Sequence, residues 1–462
     1  MKKTVCVIMS VVLSAVCVLF AGCGKRTQGT TGDEYEVNVT PDKNVKADLK
    51  ISCSASQQEM DIITGLGNEF RKTYPNVTVT PEPIGGSNAI SVIMGWYQSD
   101  SLPDLMQLSS FEMLNLVSAD VLLNLDPYIR AETKNGTFDV NDYYEAYWKV
   151  GQDGFDGAQY LIPRAADSVV CQVNKKILRE AGVDLNPETT LVRNGWTWED
   201  FLTVCAQVKQ KYPGRGIVDS FYNWEAVFNP IFKSFGAHYF KDGVADVDNE
   251  GIRQGLLLMG EMVQKGYQGT SNSLQANFAG GQGAFMFHSQ AISIGKLNID
   301  AAYAKTYPDG VDEDVFDVVT FPIITEENPC IGAGIAGYAV SSTTKNRDVA
   351  WQFLKFMLSK QGQNIIAEQG TNYPPIRKDM SDVNDPTNSW TKGYENFNLE
   401  AYLWAAKHDA LCMTDFILEA PQYSTDLISS VQTLISDYVV VEDPMDEAIA
   451  ACNKKLNYWL NN

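Results

Sequence analysis

Leu49-Lys50-Ile51-Ser52-Cys53-Ser54 alternates apolar and polar side chains as a half-buried strand does, and the residues after it decide the fold class. Met60, Ile63, Leu66 and Phe70 recur at helical spacing until Tyr74-Pro75 ends the run, and Val77 to Thr80 returns to a strand pattern. Strand, helix and strand in that order call for a parallel sheet with a right-handed crossover. The rhythm continues with a helix around Ala89 to Tyr97, a strand near Leu102 to Leu108 and a helix from Trp198 to Lys209. Thr197 and Asp200 open that last helix at capping-box spacing, and Phe201, Cys205 and Val208 form its apolar stripe. A long helix over Gly251 to Lys265, strands at Gly283 to Phe287, Asp317 to Phe321 and Tyr338 to Val340, and a helix beginning at Ala350 follow. From Leu399 the pattern is mostly helical, with a break at Asp443-Pro444. Glycines between Gly332 and Gly337 permit close backbone approach. About 415 residues from Ala47 onward exceed what one hydrophobic core usually holds, so an α/β chain in two lobes is expected.

The first residues have a different character. Lys2 and Lys3 precede an apolar run from Val5 to Phe20 that ends in Ala21-Gly22-Cys23, the pattern of a signal peptide over 1–22. Cys23 directly after Ala-Gly resembles a bacterial lipobox, whose cysteine is diacylated and becomes the mature N-terminus, although Phe20 stands where that motif usually has Leu, Val or Ile. Residues 23–46 then read as a lipid-anchored, flexible polar linker.

A net charge of −21 repels nucleic acid and offers no polybasic patch for anionic lipid. No cofactor motif occurs. His238, His288 and His408 lack metal-ligand spacing, and there is no Gly-x-Ser-x-Gly or phosphate-binding loop. Asp309, Asp312, Glu313 and Asp314 form an acidic cluster without EF-hand spacing, read as a solvated loop before a calcium site. Cys53, Cys171, Cys205, Cys330, Cys412 and Cys452 show no CxxC spacing; buried free thiols are the preferred reading and disulfides the alternative.

Five ordered pieces carry a resemblance over almost the whole mature chain: Phe70 to Val79, Pro103 to Leu108, Asn174 to Val183, Thr197 to Phe201 and Gly283 to Met286. Joined to the lipoprotein start and to Ala350 to Phe356, they resemble the extracellular solute-binding proteins of ABC importers, the group serving sugars and oligosaccharides. The resemblance implies a two-lobed periplasmic-binding-protein-like α/β fold with hinge strands and an interlobe ligand cleft. Residues 47–165 and 325–375 would form one lobe and 166–324 and 376–462 the other, with the chain crossing near Pro163 to Cys171 and returning near Phe321 to Gly334. It also implies a monomer on the outer face of the cell membrane that delivers its ligand to permease subunits.

A sugar offers hydroxyl edges and apolar ring faces, so its cleft needs planar hydrogen-bonding groups beside aromatic platforms. Asp167 leads, because sugar binders often place an acidic residue in the segment before Val173-Asn174-Lys175; a salt bridge to Arg164 is the competing reading. Arg164 itself would suit an acidic sugar such as a uronate. Trp224, after Phe221-Tyr222-Asn223, is the stacking candidate, against a packing role in the core. Ser54 and Gln57 lie at the end of the first strand and Ser109 and Ser110 at the end of a later one, where parallel sheets hold ligands; all four also suit caps or turns. His288 and Gln290 follow a strand that would line the cleft, and Tyr338 and Tyr373 are further stacking surfaces. Trp96, Trp196, Trp198 and Trp351 are read as packing. Two other functions compete: a carbohydrate-active enzyme, whose paired carboxylates would meet only in space, and a ligand-loaded sensor for a membrane receptor.

Overall fold

Prolines explain where the first sheet stops. Strand β2 (Val77–Ile84) carries Pro81 and Pro83 and stands at an edge, where a missing N–H interrupts no inner ladder. A computed structural model describes residues 35–85, 89–152, 157–218, 224–269, 278, 281–289, 315–334, 336–369, 373–412 and 424–461. The chain divides into Met1–Glu36 and Val37–Asn462, and every element below belongs to the second unit. Cys23, Gln290 and the acidic cluster Asp309, Asp312, Glu313 and Asp314 lie outside the described residues.

In chain order the elements are β1 (Ala47–Ser54), α1 (Gln57–Phe70), β2, α2 (Ala89–Gln98), β3 (Leu105–Ser109), α3 (Ser110–Ser118), α4 (Asp126–Lys134), α5 (Glu145–Lys149) and β4 (Leu161–Pro163). Then come β5 (Val170–Asn174), α6 (Lys175–Glu180), α7 (Trp198–Lys211), α8 (Glu225–Ser234), the hairpin β6 (Phe240–Lys241) and β7 (Val244–Ala245), α9 (Glu250–Gln264), β8 (Phe285–His288) and β9 (Phe316–Thr320). Last are β10 (Ala336–Val340), α10 (Arg347–Met357), α11 (Lys360–Gln369), α12 (Glu400–Lys407), α13 (Ser424–Ser436) and α14 (Met445–Asn461).

The first sheet has the order β2-β1-β3-β10-β4. The expected parallel pairing holds for β1 with β2 and for β1 with β3, whereas β10 joins antiparallel to both β3 and β4. The second sheet, β8-β5-β9, is antiparallel throughout. All five residues of its central strand β5 are buried, as a strand covered on both faces requires. Ile62, Ile63, Leu66 and Phe70 form the buried face of α1. The capping box read at Thr197 and Asp200 closes in both directions. Trp196, Trp198 and Trp351 are buried in the core, so the packing reading of these three holds.

The connections between the two sheets run side by side. Residues between β4 and β5 meet those between β9 and β10: the Val169 N–H donates to Gly332 O at 2.8 Å, and the Gly334 N–H donates to Asp167 O at 3.0 Å. A third strand of chain joins them where the Ala166 N–H donates to Pro374 O at 2.7 Å. Gly332 is required there, since a Cβ would stand 1.9 Å from the carbonyl oxygen of Ala226.

The thiol reading needs correcting for one pair. Cys330 and Cys412 form a disulfide with Cα atoms 5.5 Å apart, while Cys53, Cys171, Cys205 and Cys452 are buried and free. The separation of 82 residues hides this pairing from sequence spacing, and hydrogen bonds from Ile331 N to Ala410 O and from Cys412 N to Ile331 O bring the segments together. Among the described residues, no helix is long and apolar enough to cross a membrane, and no cluster of acidic, His or Cys side chains is arranged to hold a metal.

Candidate ligand-binding site

The C-terminal ends of β1 and β3 and the first residue of β10 surround a cavity of about 450 Å³ lined by Cys53, Ser54, Ala55, Ile84, Ala89, Gln107, Leu108, Ser109, Glu112 and Ala336. Strand ends of an open parallel sheet leave such a crevice because the helices that follow diverge from it. Ser54 is exposed at the rim, its N–H bonded to Gln107 Oε1 at 2.9 Å. Ser109 lines the cavity but also N-caps α3 in a full capping box with Glu112, so its side chain is engaged in holding the helix. Ser110 is buried and its Oγ has no hydrogen-bond partner. Gln57 is exposed on α1 and donates to Asp61 at 2.8 Å. Ser56, not Ser54, is the cap of α1.

Beside this cavity lies a second group, built on the crossing segments. A Cβ placed on Gly334 would stand 3.2 Å from both Ser289 Oγ and Trp224 Cζ2, and 3.5 Å from Asp167 Oδ2. Asp167, Trp224 and Ser289 therefore converge on one small residue, two positions before Ala336 of the cavity lining. Trp224 is half-buried at the N-cap of α8, and the His288 ring lies 6.2 Å from its own, centroid to centroid. Burial lowers the pKa of His288, which keeps its imidazole neutral near pH 7. Ser289, which sequence reading passed over between His288 and Gln290, hydrogen-bonds the Asp167 carboxyl.

Asp167 is 9% exposed, and its Oδ1 has no hydrogen-bond partner. Burial pushes its pKa up to about 7, against the opposing pull of Arg164 and Ser289. The competing reading, a salt bridge from Asp167 to Arg164, is not what forms. Arg164, 8% exposed, pairs instead with Glu59 in the first turn of α1. Its Nη2 donates to Tyr373 Oη at 3.3 Å and its guanidinium lies 4.8 Å from the Tyr373 ring centre. Burial alone would pull the guanidinium's pKa down, but the negative charge of Glu59 outweighs it and holds Arg164 charged.

Three expectations give way here. Tyr338 is 0% exposed and its hydroxyl donates to Glu59 Oε1 at 2.6 Å, so it has no free face to offer as a stacking surface. Tyr373 is buried with its ring against Arg164, a contact that occupies the face expected to meet a ligand. Arg164, in turn, is not placed to clamp a uronate, because its charge is already spent on Glu59. Glu59 itself gives no signal in sequence beyond that of an acidic residue in a helix's first turn.

The arrangement offers a buried carboxylate with one unpartnered oxygen, a hydroxyl and an indole beside a polar-rimmed cavity. It can bind a polar solute. Similar folds are known. The chain resembles the GacH receptor of Streptomyces glaucescens, solved unliganded and with acarbose, at 18% identity over 91% of this chain and 100% of that one, with a TM-score of 0.68. It resembles the sugar-binding protein MalE from Xanthomonas citri at 17% identity over 90% and 97% of the two chains, with a TM-score of 0.69. UgpB from Mycobacterium tuberculosis, in complex with glycerophosphocholine, matches at 17% identity over 90% and 98%, also with a TM-score of 0.69. At such identities these likenesses establish the two-lobed fold. No curated protein sequence matches the chain. The family model of the bacterial extracellular solute-binding proteins matches residues 54–364, about two thirds of the chain, from the end of β1 through β10 and into α11. On that match the chain belongs to the bacterial extracellular solute-binding proteins, a family of binding proteins and not of enzymes.

Proposed function

We propose that this protein captures a sugar or oligosaccharide outside the cell and hands it to the permease of an ABC importer, held at the membrane by a lipid on Cys23. The observation that carries the sugar reading is the convergence of Asp167, Ser289 and Trp224 on Gly334. A carboxylate oxygen without a partner accepts a sugar hydroxyl, and an indole covers an apolar ring face. The GacH and MalE likenesses support the same reading, since those proteins are a receptor solved with acarbose and a sugar-binding protein. Residues 47–165 with 325–375, and 166–324 with 376–462, are the lobes that close on the ligand, turning about the paired segments at Asp167 and Gly334. The protein acts as a monomer. Residues 1–22 are removed, and Cys23 with the linker to 46 sets its distance from the bilayer.

A thermal-shift panel of mono- and oligosaccharides, uronates and glycerophosphocholine tests this directly, because a ligand that binds only the folded state raises the unfolding midpoint. A saturable shift with one saccharide and no product formed is expected. A shift with glycerophosphocholine alone would transfer the reading to a non-sugar solute, as UgpB has one in its complex. Cys23→Ala should abolish detergent-phase partitioning; partitioning that survives would remove the anchor.

A further inference from the structure

Arg164 is three residues from Asp167 on the crossing segment, yet its charge is answered elsewhere. The Glu59 carboxylate engages Arg164 with one oxygen and the Tyr338 hydroxyl with the other, and Tyr373 covers the guanidinium. Gln363 Nε2 donates to the Arg164 carbonyl at 2.9 Å and fixes the backbone below the pair. Across the segment, Asp167 keeps an oxygen without a partner, and the neighbouring cavity carries Glu112 and, among its described lining, no lysine or arginine.

We infer that Glu59 is a specificity-determining residue: by pairing with Arg164 it keeps that guanidinium from meeting an anionic solute and leaves Asp167 as the carboxyl the solute faces, which turns the site toward uncharged or cationic solutes and against uronates and sugar phosphates. This rests on the proposal that the Asp167 cluster is the solute site. The physical ground is that a buried like-charge pair between ligand and site is strongly penalised, whereas a free guanidinium would reward the same anion. Arg164 already acts on Asp167 through space, so a change in its net charge reaches the cleft without any new contact. Glu59→Gln is the sharp variant, since an amide oxygen still accepts from Tyr338 while the negative charge is gone.

The test pairs neutral saccharides with their acidic counterparts, glucose with glucuronate, galactose with galacturonate and the corresponding di- and trisaccharides, measured by calorimetry on the whole protein. The native protein is expected to bind the neutral member of the responsive pair at least about tenfold more tightly. E59Q should narrow that ratio toward one, and D167N, which removes the repelling carboxylate, should narrow it too while weakening neutral binding. D167N carries the test if E59Q does not fold. Equal binding of neutral and acidic members by the native protein, or a ratio unchanged in the folded variants, overturns the inference and leaves the sugar reading intact. Binding of neither member of any pair removes the sugar reading and this inference with it.

Discussion

Glu59 and Asp167 are buried carboxylates on either side of Arg164, and their hydrogen bonding differs. Glu59 has both oxygens engaged, one by Arg164 and one by Tyr338. Asp167 accepts from Ser289 and leaves Oδ1 with nothing. Buried polar atoms are normally satisfied, so a saturated carboxylate marks structure and an unsaturated one beside a cavity marks a place kept for something else. The comparison breaks first at Glu59. Glu59→Ala strands a buried guanidinium and should lower stability by about 3–5 kcal/mol, read from denaturant unfolding. A loss below about 1 kcal/mol would mean that Arg164 reaches solvent and that the two carboxylates are not different in kind.

The second way to test the contrast acts on the crossing that carries Gly334. The disulfide between Cys330 and Cys412 ties that segment to the chain after α12, closing a loop of 82 residues. Replacing both cysteines by serine should cost about 3 kcal/mol, and reductant should produce a similar fall in the native protein's thermal midpoint. If the segment positions Gly334 against Asp167, ligand affinity falls as well. Lost stability with unchanged affinity would separate the tether from the site.

Titration offers a smaller effect with a definite sign. The folded Asp167 carboxyl has its pKa raised from 3.8 to about 7, so between those values the folded protein holds a proton that the unfolded chain has lost. Stability attributable to this group is therefore greatest below pH 4 and declines as pH rises toward 7. Asp167→Asn should remove that decline, seen as a flatter dependence of unfolding free energy on pH between 4 and 7. Sugar binding that uses the carboxylate as acceptor should strengthen over the upper part of the same window. An unaltered slope in the Asn variant would assign the titration to another group.

Local periodicity made the fold legible. The alternation at Leu49 to Ser54, the helical spacing of Met60 to Phe70 and the glycines from Gly332 to Gly337 are signals written in neighbouring residues, and they marked β1, α1 and the close approach beside Asp167. The candidate site is legible in part. The sequence points to Asp167, Trp224 and His288, which lie near one another, but not to Ser289, because β8 ends at His288 and nothing local separates one strand-end residue from the next. What stayed hidden depends on partners far along the chain. Arg164 pairs with a residue 105 positions earlier, Tyr338 with one 279 earlier, and Cys330 with one 82 later. No spacing rule encodes such pairings, so Arg164, Tyr338 and Tyr373 read as cleft residues when their side chains are consumed in holding the hinge together.

Gly334 gives the finest discrimination between the two carboxylate environments. A methyl group there would stand 3.2 Å from Ser289 Oγ and Trp224 Cζ2, tight but relieved by shifts of a few tenths of an ångström, and no backbone atom is among those nearest neighbours. Gly334→Ala should therefore cost less than about 1 kcal/mol of stability. Its effect on binding should be larger, because the methyl enters the space on which the hydroxyl, the indole and the carboxylate converge and moves the indole off its position. A fall in affinity of about tenfold, measured by calorimetry with the saccharide that stabilises the native protein, corresponds to about 1.4 kcal/mol and would exceed the stability loss. The reverse outcome, a lowered unfolding midpoint with affinity untouched, would show that Asp167, Ser289 and Trp224 pack against Gly334 as core and that the solute sits elsewhere along the cavity at the ends of β1 and β3.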